Sequence, residues 1–115
     1  MKPFIYNFPD EIAESFLYDS KNQLIEVCFE SYCCNGEFIE APCKLVIENW
    51  IQAKSKLHSA SKYDSLESNL GVISLILSIT NDGGNVLLAV NTLNDKYVDL
   101  VFTRPSIHVE ILSKN

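Results

Sequence analysis

One arginine, Arg104, and two histidines, His58 and His108, are all that the chain offers of the side chains best suited to gripping phosphates or moving protons. With a net charge of -6, that scarcity argues against nucleic acid as a partner, because phosphate binding needs a basic face that releases counterions. The only basic cluster is Lys54, Lys56 and Lys62 beside His58, a composition that solvates a loop. Glycine pairs are equally scarce. Gly83-Gly84 is the only one, and it lacks the lysine of a phosphate loop and the strand-to-helix setting of a dinucleotide fingerprint. No G-x-S-x-G elbow occurs, so a nucleophilic serine has no sequence signature. Long apolar runs are missing too. The densest, Val72–Ile79, is broken by Ser74 and Ser78 and falls far short of a membrane span. Ahead of Pro9 and Asp10 there is no stretch resembling a signal peptide, so the expected location is the cytoplasm.

What is present is a folded, acidic composition. Of 115 residues, 47% are hydrophobic and 21% charged, which suits a single domain over residues 1–115 with one core. The charge is unevenly placed. Residues 1–50 hold nine acids against Lys2, Lys21 and Lys44, whereas residues 51–115 balance six acids with six bases. Such asymmetry bears on partners and association rate more than on fold.

Four cysteines, Cys28, Cys33, Cys34 and Cys43, crowd into the same acidic half. Their spacing matches no zinc pattern, and in a reducing compartment they read as small, buried or half-buried hydrophobes. No cofactor and no metal is expected. The twelve-residue calcium loop is also absent around Asn81, Asp82 and Asp95.

Periodicity supplies the elements. Pro9, Asp10 and Glu11 have helix-start chemistry, which predicts a short helix over residues 7–15 with Ile12 and Phe16 on its core side. Asp19–Asn22 forms a turn cluster. From Gln23 the period becomes two, with Ile25, Val27 and Phe29 facing inward. Asn35-Gly36 marks a hairpin. Cys43–Trp50 is a strand with Leu45 and Ile47 inward, and it either runs on into Gln52 and Lys54 or turns helical on a Trp50, Ala53, Leu57 stripe. His58–Leu70 is a serine-rich loop with one helical turn at Ser65–Asn69. A meander follows. Ile73, Leu75, Leu77 and Ile79 share a face, Asn81–Gly84 turns, Val86–Asn91 returns, and Leu93–Asp95 turns again. Val98, Leu100 and Phe102 then face inward, and beyond Arg104-Pro105 come Ile107, Val109 and Ile111, opposite His108 and Glu110. The predicted class is α+β, predominantly antiparallel β: a single sheet or half-barrel of about six strands with one or two short helices.

Function is sought in the acidic half. Glu26, Glu30, Glu37, Glu40 and Glu48 fall on neighbouring strands, interleaved with Tyr32, Phe38 and Trp50. Carboxylates that steer a basic partner and aromatics that anchor it make a fast-associating inhibitor surface. These eight residues are the predicted partner-binding set. The acids Asp10, Glu11 and Glu14 are set aside as helix-dipole complements.

The acidic short domain, the run Leu45-Val-Ile-Glu-Asn-Trp50 and the closing Val109-Glu-Ile-Leu112 resemble the small sheet-rich immunity proteins of bacterial toxin–immunity systems. That resemblance implies a non-catalytic cytoplasmic protein that blocks a cognate basic toxin domain, often a nuclease. The alternative is a structural or homodimerising β-domain in which Val72 and Ile76, or Val86, Leu88 and Val90, face a partner sheet. An enzyme comes third, and it requires a deep pocket holding His58 or His108 with two carboxylates.

Overall fold

The computed structural model describes residues 4–112, and over that span the regular structure is antiparallel strand apart from one helical turn. In order these are β1 (Tyr6–Asn7), β2 (Ser15–Asp19), β3 (Leu24–Phe29), β4 (Tyr32–Cys34), β5 (Glu37–Ile39), β6 (Cys43–Glu48), β7 (Gln52–Leu57) and β8 (Asp64–Ser65). One helical turn, α1 (Leu66–Asn69), precedes β9 (Ile73–Asp82), β10 (Asn85–Thr92), β11 (Tyr97–Thr103) and β12 (Ser106–Ile111). The strands make a four-stranded sheet, β12-β6-β3-β2, a five-stranded sheet, β8-β7-β11-β10-β9, and a small β1-β4-β5 sheet.

Alternation builds the core. In β3 and β6 the inward row is Ile25, Val27, Phe29, Cys43, Leu45 and Ile47, each at most 1% exposed. Opposite stand Val86, Leu88 and Val90 of β10 and Val98, Leu100 and Phe102 of β11, and both rows belong to one hydrophobic cluster. Each large side chain buried there contributes roughly 1.5–3 kcal/mol. Ser55, fully buried on β7, anchors α1. Its hydroxyl donates to the Ser65 carbonyl (2.7 Å) and accepts from Asn69 Nδ2 (3.2 Å), which lets Leu66 enter the core.

The expected single sheet of about six strands is replaced by twelve strands in three sheets, the two larger of which share one core. Between those two the chain crosses twice. At Asn49-Trp50-Ile51, Asn49 takes a left-handed φ of 56°, its N–H donates to Gln23 O, and Ile51 N–H donates to Thr103 O. At Arg104-Pro105 the return is made, with Arg104 at φ 49° and its N–H on Gly84 O. The segment after Trp50 is therefore strand, not helix, but in the other sheet. For the same reason Val86, Leu88 and Val90, proposed to face a partner sheet, are buried against the chain's own second sheet, and so is Ile76.

The helix expected over residues 7–15 does not form. Phe8 is buried with its ring stacked on Phe29 (centroids 4.3 Å apart), and Asp10 adopts φ 59°, which no right-handed helix tolerates. Ala13 and Glu14 donate their N–H groups to Ser74 O and Cys28 O, so tertiary hydrogen bonds win over local helix-start chemistry. Ile12, assigned to a core face, is 70% exposed.

A second correction lies in β9. Its pairing with β10 slips twice, leaving Leu77 and Ser74 without partners in the ladder. Each bulge inserts one residue and inverts the alternation. Ile73, Ile76 and Ile79 consequently point toward the core, whereas Leu77 is 53% exposed. The hairpins stand as expected. Asn35-Gly36 (φ 54° and 85°) and Gly83-Gly84 (φ 60° and 94°) are two-residue turns with both φ values positive. The helical turn falls at Leu66–Asn69. Asp19 receives hydrogen bonds from Asn22 N (3.2 Å) and Nδ2 (2.7 Å), which closes the β2–β3 turn and lowers the Asp19 pKa. All four cysteines are free. Cys43 is buried and Cys28, Cys33 and Cys34 are half-buried, and burial pushes the Cys43 thiol up to about 11.

Candidate functional site

The β3–β6 hairpin has an elbow. Its main ladder ends at the pair Phe29–Cys43, and the ladder of β4 and β5 begins at Tyr32–Ile39. Between them lie Glu30-Ser31 on one strand and Glu40-Ala41-Pro42 on the other. The unequal lengths break the register, and Pro42 has no N–H to restore it. The hairpin bends there, and Glu30 and Glu40 emerge exposed on either side of the bend. The connection from β1 to β2 passes the same spot, held by the Ala13 and Glu14 backbone hydrogen bonds. The result is a groove of about 470 Å³ lined by Glu11, Glu14, Glu30, Ser31, Phe38, Glu40 and Pro42.

Four carboxylates thus meet at one place. None of them has a cation within salt-bridge distance among the described residues. Glu14 registers the crowding. Its pKa is raised, chiefly because the protonated carboxyl can donate to Glu30, with desolvation and Glu30's negative charge acting in the same direction. On the groove wall Phe38 is 59% exposed, an apolar ring left in water beside the acids. Among the described residues, no group of three or more His, Cys, Asp or Glu is arranged to hold a metal ion.

Of the eight residues predicted from sequence, Glu30, Glu40 and Phe38 share this groove. The other five do not. Glu26 lies on the outer face of the four-stranded sheet, 3.4 Å from Lys44 Nζ. Glu48 shares that face two residues beyond Val46, the partner of Glu26, at the end of β6 away from the elbow and beside Leu24 and Ser106. Glu37 is exposed next to the β4–β5 turn and does not line the groove. Tyr32 and Trp50 are core residues, 6% and 7% exposed, packed against Tyr6 and Phe102. An aromatic in an acidic strand reads identically whether it anchors a partner or fills an interior, and here two of three fill the interior. Conversely, Glu11 and Glu14 belong to the site although the helix expectation set them aside. An extended reading of residues 11–14 would have brought them toward Glu30.

The outer face of the five-stranded sheet carries a second cluster. Asp99 accepts from Lys56 Nζ (3.1 Å) and stands 3.1–3.2 Å from His58 Nδ1. Lys56 also donates to the carbonyls of His58 and Ala60 and lies 5.5 Å from the Tyr63 ring centroid, so it straps the 58–63 loop to the sheet. Ala89 floors two shallow depressions there, of about 210 and 100 Å³. Ser78 is on the same face, one strand beyond Ala89 and two from Asp99, which sets the two Cα atoms roughly 10 Å apart. His58 and His108 each meet a single carboxylate, Asp99 and Glu110, and among the described residues neither ring hydrogen-bonds a hydroxyl.

No family model, no curated protein and no solved structure matches this chain. Among the described residues no helix is long and apolar enough to cross a membrane.

Proposed function

We propose that the chain is a non-catalytic binding protein that captures a basic protein partner in the elbow groove. Most concretely, it is a cytoplasmic immunity protein that covers the active site of a cognate toxin domain. The observation that carries this reading is the convergence of Glu11, Glu14, Glu30 and Glu40 around an exposed phenylalanine, with no neutralising cation among the described residues. Such a groove focuses negative potential, which speeds the encounter with a basic surface. The Phe38 ring would then supply the apolar anchor that slows dissociation. Inhibition follows from occlusion and needs no reactive group.

The test is co-expression with the product of the neighbouring gene, followed by association rates measured with the purified pair. The wild-type chain is expected to protect the cell. Glu30→Lys with Glu40→Lys is expected to abolish protection and slow association by about tenfold or more at low salt. Rates indifferent to both these substitutions and added salt would remove the groove from the mechanism.

A further inference from the structure

The strand β12 closes one edge of the four-stranded sheet and, among the described residues, pairs with β6 alone. Other edges of the two large sheets are blunted. Two bulges interrupt β9 and β8 is only two residues long, while at β2 the chain just before the strand is tied away by Ala13 N on Ser74 O and the Tyr18 hydroxyl reaches Glu67 Oε1. By contrast, β12 runs in unbroken register from Ser106 to Ile111 with no lysine, proline or bulge, the usual defences of an open edge. Leu112 N donates to Pro42 O, so the alternation of an antiparallel ladder turns the N–H and C=O groups of Ile107, Val109 and Ile111 outward.

The sequence of that edge is close to self-complementary. About Val109, Ile107-His108-Val109-Glu110-Ile111 places one isoleucine two residues away on each side. An imidazole stands one residue before the centre and a carboxylate one residue after it. We infer that β12 pairs with β12 of a second copy of this chain, antiparallel and centred on Val109, joining two four-stranded sheets into one of eight strands. In that register Val109 faces its own symmetry mate and Ile107 faces Ile111 of the second copy on the inward face. On the outward face His108 meets Glu110 of the second copy, twice. Paired residues in an antiparallel ladder lie on the same face with Cβ atoms about 5 Å apart, a reach that suits imidazole and carboxylate. Within one chain His108 Nε2 and Glu110 Oε2 already meet at 3.0 Å, so the same two groups exchange an intrachain contact for cross-strand ones. Ile111, 52% exposed in the single chain, gains a neighbour. The four elbow acids take no part in that ladder, although Leu112 after β12 donates to Pro42 O on the groove wall, and the pairing does not rest on the partner proposed for the groove.

A contact built mainly from one strand edge falls toward the small end of stable interfaces, so the dimer is a weak one. Sedimentation equilibrium between about 10 and 500 µM is expected to show the mass rising from 13.0 kDa toward its double. His108→Glu sets two carboxylates opposite one another and Glu110→Lys removes the carboxylate that His108 of the second copy would meet, and each, made separately, is expected to weaken association by about tenfold. Mixing the two variants sets the introduced glutamate against the introduced lysine at one contact and keeps His108 against Glu110 at the other, and is expected to recover association to about the wild-type level. A misfolded variant would not recover on mixing, and Glu30→Lys with Glu40→Lys should leave self-association unchanged. A mass fixed at 13.0 kDa throughout, self-association indifferent to both single variants, or no recovery on mixing would each overturn the inference.

Discussion

The elbow groove and the Asp99 face handle charge in opposite ways. On the Asp99 face one carboxylate serves two cationic or protonatable neighbours, Lys56 and His58, and the lysine is further tied to two backbone carbonyls. Those charges are satisfied within the molecule, and they fasten a loop. At the elbow four carboxylates face one another, and one is pushed to hold its proton longer. Charges already paired inside a chain offer little to a partner, whereas charges left to repel are relieved by a cation brought from outside. Counting acids by sequence segment cannot separate these cases. Glu26, paired with Lys44, belongs with the fastened charges despite lying in the acidic half.

The contrast can be broken experimentally, beginning with the largest effect. Removing charge at the elbow should act on binding and not on folding. Glu30→Lys with Glu40→Lys should slow partner association by about tenfold or more at low salt, with a urea midpoint close to wild type. A large fall in stability instead would mean that the elbow acids hold the fold. Removing charge on the other face should do the reverse. Asp99→Ala leaves Lys56 without its partner and should cost about 1–2 kcal/mol in denaturant unfolding, with faster amide exchange in residues 58–63. Unchanged exchange there would show that Lys56 does not strap the loop.

The pH dependence sharpens the same division. Glu14's folded pKa lies above the ordinary 4.5, so the folded state holds the proton more tightly than the unfolded chain. The contribution of Glu14 to stability is therefore present below 4.5 and lost as pH rises through the raised value. Asp19 runs the other way. Its pKa is lowered from 3.8 by the Asn22 hydrogen bonds, so its contribution holds above 3.8 and disappears as pH falls through the lowered value. Urea midpoints taken from about pH 3 to 7 should show Glu14→Gln gaining on wild type toward pH 7, and Asp19→Asn losing most there. Parallel curves for Glu14→Gln and wild type would show that the Glu14–Glu30 contact does not persist in solution. The smallest effect belongs to Glu26→Gln. A partly exposed pair at 3.4 Å should change stability by less than about 0.5 kcal/mol and leave the association rate at wild type.

Much of the fold was legible because local chemistry and tertiary packing agree. Asn35-Gly36 and Gly83-Gly84 must turn, and the alternations through Ile25–Phe29 and Val98–Phe102 must bury one side. The rest was hidden for specific reasons. A strand that leaves its sheet at Trp50 keeps the same apolar pattern as one that stays, so one sheet and two sheets read alike. Period-two counting cannot detect the residues inserted at Ser74 and Leu77. Pro9-Asp10-Glu11 does favour a helix start in isolation, and only the stacking of Phe8 on Phe29 and the hydrogen bonds of Ala13 and Glu14 forbid it. That one local misreading also hid half the acidic groove, because Glu11 and Glu14 could be placed near Glu30 only as extended chain. Glu30, Glu40 and Phe38 were found because each lies on the hairpin that carries it.

The break at Pro42 has a consequence for how the molecule can change over time. Glu30, Phe38 and Glu40 lie at or beyond the point where the β3–β6 ladder stops, and none of their side chains belongs to the core cluster. Substitutions there need not be matched by compensating changes in the interior. At and beyond the elbow the outward positions are therefore open to sequence drift, while Tyr32, Cys34 and Ile39 keep the same stretch packed on the core. A lineage under pressure to follow a diversifying target could rewrite Glu30, Phe38 and Glu40 without disturbing the packed positions between them.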